Sequence, residues 1–119
     1  MIVMMHLGRE VLLVEDDVDL RDAIAEVLRD EGCRVLVAED GEQALAILED
    51  AAPDLIVTDL MMPRMNGWDF CAAVRRKKHL AGTPVAVLSA FVDVQPIDGV
   101  RMIRKPLDVH ALASLLSEV

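Results

Sequence analysis

Acidic, hydroxyl and ammonium side chains follow apolar runs at several points of this sequence. Glu15 and Asp16 follow one run, Asp59 a second and Ser89 a third, and Lys105 stands near the end of the chain. If each run is a strand of one open parallel sheet, the carboxyl ends of the strands meet at a crevice, where such sheets bind ligands. Carboxylates, a hydroxyl and an ammonium gathered there predict a site for a divalent metal ion and a phosphoryl group.

The three carboxylates of this set, Glu15, Asp16 and Asp59, favour a hard metal ion. Two unit charges about 4 Å apart repel each other by roughly 4 kcal/mol at an effective dielectric constant near 20, and a divalent cation removes this conflict. Mg²⁺ prefers oxygen ligands and keeps several of its waters. No histidine or cysteine accompanies the acids, which argues against zinc. The sequence therefore predicts Mg²⁺ as the cofactor.

The other polar groups suit transfer of a phosphoryl group to the protein itself. An aspartate carboxylate can act as a nucleophile and form an acyl phosphate. The ammonium of Lys105 suits a phosphate oxygen or a carboxylate, and Ser89 adds a hydroxyl donor for another oxygen. The protein would then position the reactants and neutralise their charge.

The elements that must position these groups alternate along the chain. The predicted strands are residues 11–14, 35–38, 55–58, 85–88 and 102–103. Helical patterns occupy the first three intervals between them, and Asp108 is predicted to cap a last helix. Strands that alternate with helices predict an α/β fold with a parallel sheet and right-handed crossovers.

Length and charge restrict the class of protein. The chain has 119 residues, enough for one domain, and we expect residues 10–119 to form it after a leader at 1–9 that can fray. No output domain is expected beyond the last helix. The net charge of −9 gives no general attraction for nucleic acid or for an anionic membrane.

Two further features predict a cytoplasmic protein. No apolar run approaches the length needed to span a bilayer. Cys33 and Cys71 stand in no paired motif, and we expect two small buried residues in a reducing compartment.

The polar residues lie in motifs that resemble the receiver domain of two-component response regulators. The matching stretches are VLLVEDD at 11–17, DLIVTDLMMPRMNGWDF at 54–70, VAVLSA at 85–90 and RKPLD at 104–108. The resemblance covers nearly the whole chain from Val11. It implies a flavodoxin-like, doubly wound sheet of five parallel strands in the order 2-1-3-4-5.

The resemblance also implies a set of metal ligands. Asp16 corresponds to the acid that binds Mg²⁺ directly, and Glu15 to a neighbour that acts largely through water. Asp59 and the backbone carbonyl of Met61 complete the implied set. Asp17, the third acid of the run, is expected to cap the first helix.

The resemblance further implies how phosphorylation occurs. Asp59 corresponds to the phosphoacceptor, which takes a phosphoryl group from a phosphohistidine on a sensor histidine kinase or a histidine phosphotransfer protein. Ser89 corresponds to the hydroxyl that turns toward this group, and Lys105 to the lysine that bridges to it. The downstream protein partner is not implied, and a monomer or weak dimer is expected.

Two departures from the family pattern affect signalling. Met102 stands where the family usually has an aromatic ring that moves inward on phosphorylation. Residues 90–101 barely suffice for a parallel crossover, and Val92, Val94, Pro96 and Gly99 disfavour a helix there. We therefore predict that the fourth helix is missing or much reduced.

Three functions compete. The first is a phosphoacceptor whose own chemistry is limited to self-phosphorylation and slow autodephosphorylation, and which is not an enzyme. The second is an aspartyl phosphohydrolase of the dehalogenase class, which would need an aspartate at the position of Met61. The third is an atypical receiver that binds a protein independently of phosphorylation.

Overall fold

The computed structural model describes residues 8–90, 100–105, 114 and 116. Five parallel strands form one sheet in the order β2-β1-β3-β4-β5, which confirms the predicted flavodoxin-like topology. The strands are β1 (Glu10–Val14), β2 (Arg34–Ala38), β3 (Leu55–Asp59), β4 (Val85–Ser89) and β5 (Val100–Arg104), and the helices are α1 (Val18–Asp30), α2 (Gly41–Ile47) and α3 (Gly67–Arg76). A short 3₁₀ turn, Lys78–Leu80, follows α3.

The central strands are buried on both faces because helices cover the sheet on each side. Every residue of β3 and β4 is buried, and β1 is buried from Val11 onward. Continuous apolar runs of this kind are typical of parallel sheets. Two core clusters result, one containing Leu13 and Leu28 and the other containing Leu12 and Phe70.

Each of the three described helices begins at a side chain that accepts a backbone hydrogen bond. Asp17 accepts from Leu20 N at 3.2 Å and so caps α1, as predicted. Asp40 caps α2 through Gln43 N at 2.8 Å, and Asn66 caps α3 through the N–H of Asp69. These contacts satisfy backbone donors that a helix leaves unpaired in its first turn.

Several predicted elements differ in extent or lie beyond the described residues. β5 begins at Val100, earlier than predicted, and residues 90–99 therefore connect it to β4. Most of this connection lies outside the described residues. The prediction of a missing or much reduced fourth helix falls on those residues. Of the last helix, Ser114 and Leu116 are described; both are helical, and Leu116 is buried in the core.

Residues 8 and 9 of the predicted leader lie within the described part of the chain. The leader at 1–9 stays a prediction, although Gly8 N donates to Gly32 O and Arg9 O accepts from Arg34 N. None of the helices within the described ranges has the length and apolar character needed to cross a membrane.

Gly67 closes the connection between β3 and α3 by a close approach of two backbones. Its N–H donates to Leu60 O at 2.6 Å. A Cβ added at Gly67 would lie 2.9 Å from Leu60 Cα, which is backbone and cannot rotate away. Gly82 offers a contrast, since a Cβ added there would meet nothing within 4 Å.

We expect Gly67→Ala to lower the free energy of unfolding by about 1–3 kcal/mol, as overpacking does, despite the higher helix propensity of alanine. Gly82→Ala is the matched control and should change stability by less than about 1 kcal/mol. Urea denaturation measures both. Equal stabilities of the two variants would contradict the close packing at Leu60.

Candidate metal and phosphoryl site

Three carboxylates converge at the carboxyl edge of the sheet. Glu15 directly follows β1 and Asp59 ends β3, and the pairing of Val14 with Thr58 places these two acids side by side. One carboxylate oxygen from each of Glu15, Asp16 and Asp59 lies within 4.8 Å of the others. The structure therefore brings together the acids that the sequence predicted to meet.

Both carboxylate oxygens of Asp59 are held in place. Leu60 N donates to Oδ1 at 2.9 Å, and Lys105 Nζ donates to Oδ2 at 2.9 Å. Asp59 is 7% exposed, so its ion pair with Lys105 is shielded from water more than a surface pair would be. Charge-assisted hydrogen bonds at this distance fix the orientation of a carboxylate.

Glu15 lies in a buried position, which is energetically unfavourable for a charged carboxylate. It is 1% exposed, and among the described residues its Oε2 has no hydrogen-bond partner. The pKa of the Glu15 carboxyl is raised to about 7. Burial is the largest cause, followed by repulsion from Asp59 and a hydrogen bond with Asp59, and the charge of Lys105 opposes the rise. The position shows an electrostatic conflict that a cation would relieve.

The donor set fits a hard divalent cation. It consists of carboxylate oxygens with no nitrogen or sulfur in the described cluster, and the orphaned Oε2 of Glu15 is an unused ligand atom. Asp16 is exposed, so the cluster is open to solvent on one side. Oxygen ligands with room for retained waters suit Mg²⁺. The role predicted for the Met61 carbonyl stays a prediction, while the Met61 side chain is 56% exposed.

Ser89 and Lys105 are linked through their backbones. Ser89 ends β4 and pairs with Arg104, and Lys105 N donates to Ser89 O at 2.7 Å. Ser89 is buried, at 4% exposure. The hydroxyl and the ammonium predicted to contact a phosphoryl group thus come from the last residue of β4 and from the residue that directly follows β5.

The connection from β3 to α3 borders the site. Leu60 N also donates to Leu88 O at 3.0 Å. Thr58 Oγ1 donates to Asp59 O at 3.0 Å and lies 3.6 Å from Met62 Sδ. Trp68, in the first turn of α3, is 37% exposed. The first residues of this loop are therefore tied to the sheet, while Met61 faces solvent.

Two arginine contacts were not predicted from the sequence. Arg21 Nη1 donates to Glu15 O at 3.2 Å, which ties α1 to the acidic segment. Arg64 Nη1 lies 2.6 Å from Asp40 Oδ2. Neither arginine belongs to the acidic and hydroxyl pattern at the strand ends. The spacing of four residues between Asp17 and Arg21, about one turn of a helix, could have indicated Arg21. No sequence signal indicated Arg64.

The chain resembles known proteins over most of its length. Residues 11–116 match the model of the response regulator receiver domain. The transcriptional regulatory protein CpxR of Klebsiella pneumoniae is 47% identical over 81 residues, which are 68% of this chain and 33% of CpxR. The chain spans about a third of the length of the first curated relatives it matches.

Solved structures share the same architecture. The chemotaxis response regulator CheY4 of Vibrio cholerae has a TM-score of 0.84 and 29% identity, with 93% of this chain and 98% of that chain covered. The receiver domain of the sensor histidine kinase PA1611 from Pseudomonas aeruginosa has a TM-score of 0.84 and 27% identity, with 93% and 96% covered. That domain holds a magnesium ion in its active site cleft.

Receiver domains are signalling modules of two-component systems rather than enzymes that act on external substrates. The match over residues 11–116, the sheet order and the acidic cluster at the strand ends agree with one another. The chain belongs to the response regulator receiver domain family.

Proposed function

We propose that this chain accepts a phosphoryl group on Asp59 from the phosphohistidine of a sensor histidine kinase or a histidine phosphotransfer protein. The observation that carries the proposal is the position of Asp59. Its carboxylate lies between the ammonium of Lys105 and the acids Glu15 and Asp16. A nucleophile, a charge-neutralising group and a cation site are thus grouped around one side chain.

Several residues of the chain contribute to the transfer, each in a different role. A carboxylate oxygen of Asp59 attacks phosphorus, a P–O bond forms, and the P–N bond breaks as the imidazole of the donor leaves. Leu60 N holds one oxygen of Asp59 and orients it. Lys105 then neutralises charge on the transferred group, and Ser89 donates to another of its oxygens.

We infer that Glu15, Asp16 and Asp59 hold Mg²⁺ in this domain, with the Met61 carbonyl as a further ligand. The magnesium in the PA1611 receiver domain and the donor set found here support this inference. When bound, Mg²⁺ supplies positive charge beside the oxygens of the phosphoryl group.

The signalling context follows from the same proposal. We propose a cytoplasmic module that phosphorylates itself from a donor, slowly loses the phosphoryl group and uses a protein partner as its output. The domain would occupy residues 10–119 and act as a monomer or weak dimer, with no contact to nucleic acid or membrane by this part of the chain. The net charge of −9 supports the last point.

Mg²⁺ should stabilise the domain through Asp16. At a concentration about 100-fold above its dissociation constant, Mg²⁺ should raise the free energy of unfolding by about 2.7 kcal/mol. Asp16→Asn should largely abolish this gain because it removes an exposed ligand. Asp22→Asn changes the same charge on an exposed part of α1 and should keep the gain. Thermal unfolding with and without Mg²⁺ measures both, and an undiminished gain in Asp16→Asn would exclude Asp16 as a ligand.

Incubation with a small phosphodonor and Mg²⁺ should add the mass of one phosphoryl group to the wild-type protein. Asp59→Asn should lose this gain because an amide cannot form the acyl phosphate. Asp69→Asn, an exposed acid in the first turn of α3, is the control and should keep it. Intact-protein mass spectrometry gives the answer. Absence of the gain in the wild type would favour the receiver that acts independently of phosphorylation.

Lys105→Ala should slow phosphorylation by about 100-fold, the usual loss when one charge-stabilising donor is removed. The same change should strengthen Mg²⁺ binding, since it removes a cation 2.9 Å from Asp59. Arg104→Ala, an exposed neighbour, controls for net charge. Rates with a small phosphodonor and calorimetric titration with Mg²⁺ separate the two effects. A phosphorylation rate equal to that of Arg104→Ala would refute the role of Lys105.

A further inference from the structure

The loop between β3 and α3 contains a strained turn. Arg64 has a φ of 69°, the left-handed region that disfavours residues with a Cβ. Met65 N donates to Pro63 O at 2.7 Å, so these three residues form a γ-turn with a positive central φ. Such turns are rare and strained. Strain at a non-glycine residue persists where surrounding contacts hold it.

Arg64 forms an ion pair with Asp40, the residue that caps α2. Arg64 Nη1 lies 2.6 Å from Asp40 Oδ2, and the Asp40 side chain is 11% exposed. The other oxygen of Asp40 accepts from Gln43 N at 2.8 Å and caps α2. Asp40 is therefore fixed by the helix before Arg64 contacts it, which lowers the entropy lost in forming the pair.

The next residue makes a second contact with the same helix end. Met65 packs so closely against Gly41 that an added Cβ would lie 2.8 Å from Met65 Sδ. Arg64 and Met65 thus dock the loop on the first residues of α2. Leu60, at the other end of the loop, is bonded to Leu88 O and to Asp59 Oδ1.

The docked segment includes Met61, which lies between these two attachments. Its carbonyl is the fourth ligand of the proposed Mg²⁺ site, and its side chain is exposed. A carbonyl ligand binds a metal well only when its backbone is held in place, because Mg²⁺ demands near-ideal octahedral geometry. Attachment at both ends of the loop limits the conformations that this backbone can adopt.

We propose that Arg64 and Asp40 are positioning residues that hold the loop at 60–66 in the conformation that binds Mg²⁺. This inference rests on the proposed function and deepens it. The ion pair acts on the metal through the loop backbone, since Arg64 belongs to the loop and Asp40 to the capped end of α2. Asparagine is as good an N-cap as aspartate, so the cap and the ion pair can be separated.

The experiment measures the dissociation constant for Mg²⁺ by calorimetric titration of the whole chain. Asp40→Asn should weaken Mg²⁺ binding 3- to 10-fold while keeping the cap of α2. Arg64→Gly should weaken it by a similar factor, although it relieves the strained φ and removes a positive charge. Charge alone predicts the opposite for Arg64→Gly, namely tighter binding of a cation. The sign of this change therefore distinguishes positioning from electrostatics.

Matched variants complete the design. Glu39→Gln makes the same charge change as Asp40→Asn at an exposed neighbour and should weaken binding less than 2-fold. Arg64→Lys keeps a cation and should recover most of the affinity. The Asp40→Asn, Arg64→Gly double variant should bind no more weakly than either single variant, because both remove one interaction. Circular dichroism confirms that each variant is folded.

The outcomes separate this inference from the proposed function. Wild-type affinity in Arg64→Gly, or tighter binding, overturns the positioning role while the Mg²⁺ site stands. Additive losses in the double variant also overturn it. A wild-type protein that gives no Mg²⁺ binding overturns both proposals.

Discussion

The concentration of negative charge at one edge of the sheet is the constraint on which the site depends. Parallel strands end at the same edge, so the residues after β1 and at the end of β3 are brought together by backbone pairing. Glu15 is nearly inaccessible, and burial contributes most to the high pKa of its carboxyl. Lys105 balances one carboxylate and leaves the cluster acidic. The pairing of the strands therefore maintains an electrostatic conflict, which a bound cation would relieve.

Much of the fold and of the site could be predicted because both follow from local pattern. The run from Val11 to Val14 is apolar without alternation, as a strand covered on both faces requires, and the acid after it necessarily lies at the carboxyl edge. Asp17 was predicted as a cap from its position before a helical period. The extent of β5 was underestimated, because an edge strand carries exposed arginines such as Arg101 and Arg104 that dilute the apolar signal.

The features that could not be predicted are those in which distant backbone geometry determines a residue. Arg64 adopts a positive φ that composition does not signal, since glycine or asparagine would be the expected residue. Its partner Asp40 caps a helix, and nothing in the neighbouring sequence indicates that one of its oxygens binds an arginine in a distant loop. The closeness of Gly67 to Leu60 likewise becomes apparent only when the two backbones are packed.

Met102 stands where the family usually has an aromatic ring. It is half-buried, pairs with Val87 of β4 and packs against the second core cluster. A thioether chain with several rotatable bonds fills such a space without a preferred orientation. The hydrogen bond from Lys105 N to Ser89 O involves backbone atoms alone.

Trp68 gives the domain an intrinsic fluorescence signal. It is the only tryptophan of the chain, which contains no tyrosine, and it stands directly after Gly67 at the end of the β3–α3 loop. With 37% of its surface exposed, its indole is partly in water and partly against protein. Tryptophan fluorescence from this protein therefore originates at one position. A rearrangement of the adjoining loop would change the wavelength and intensity of this emission without any added label.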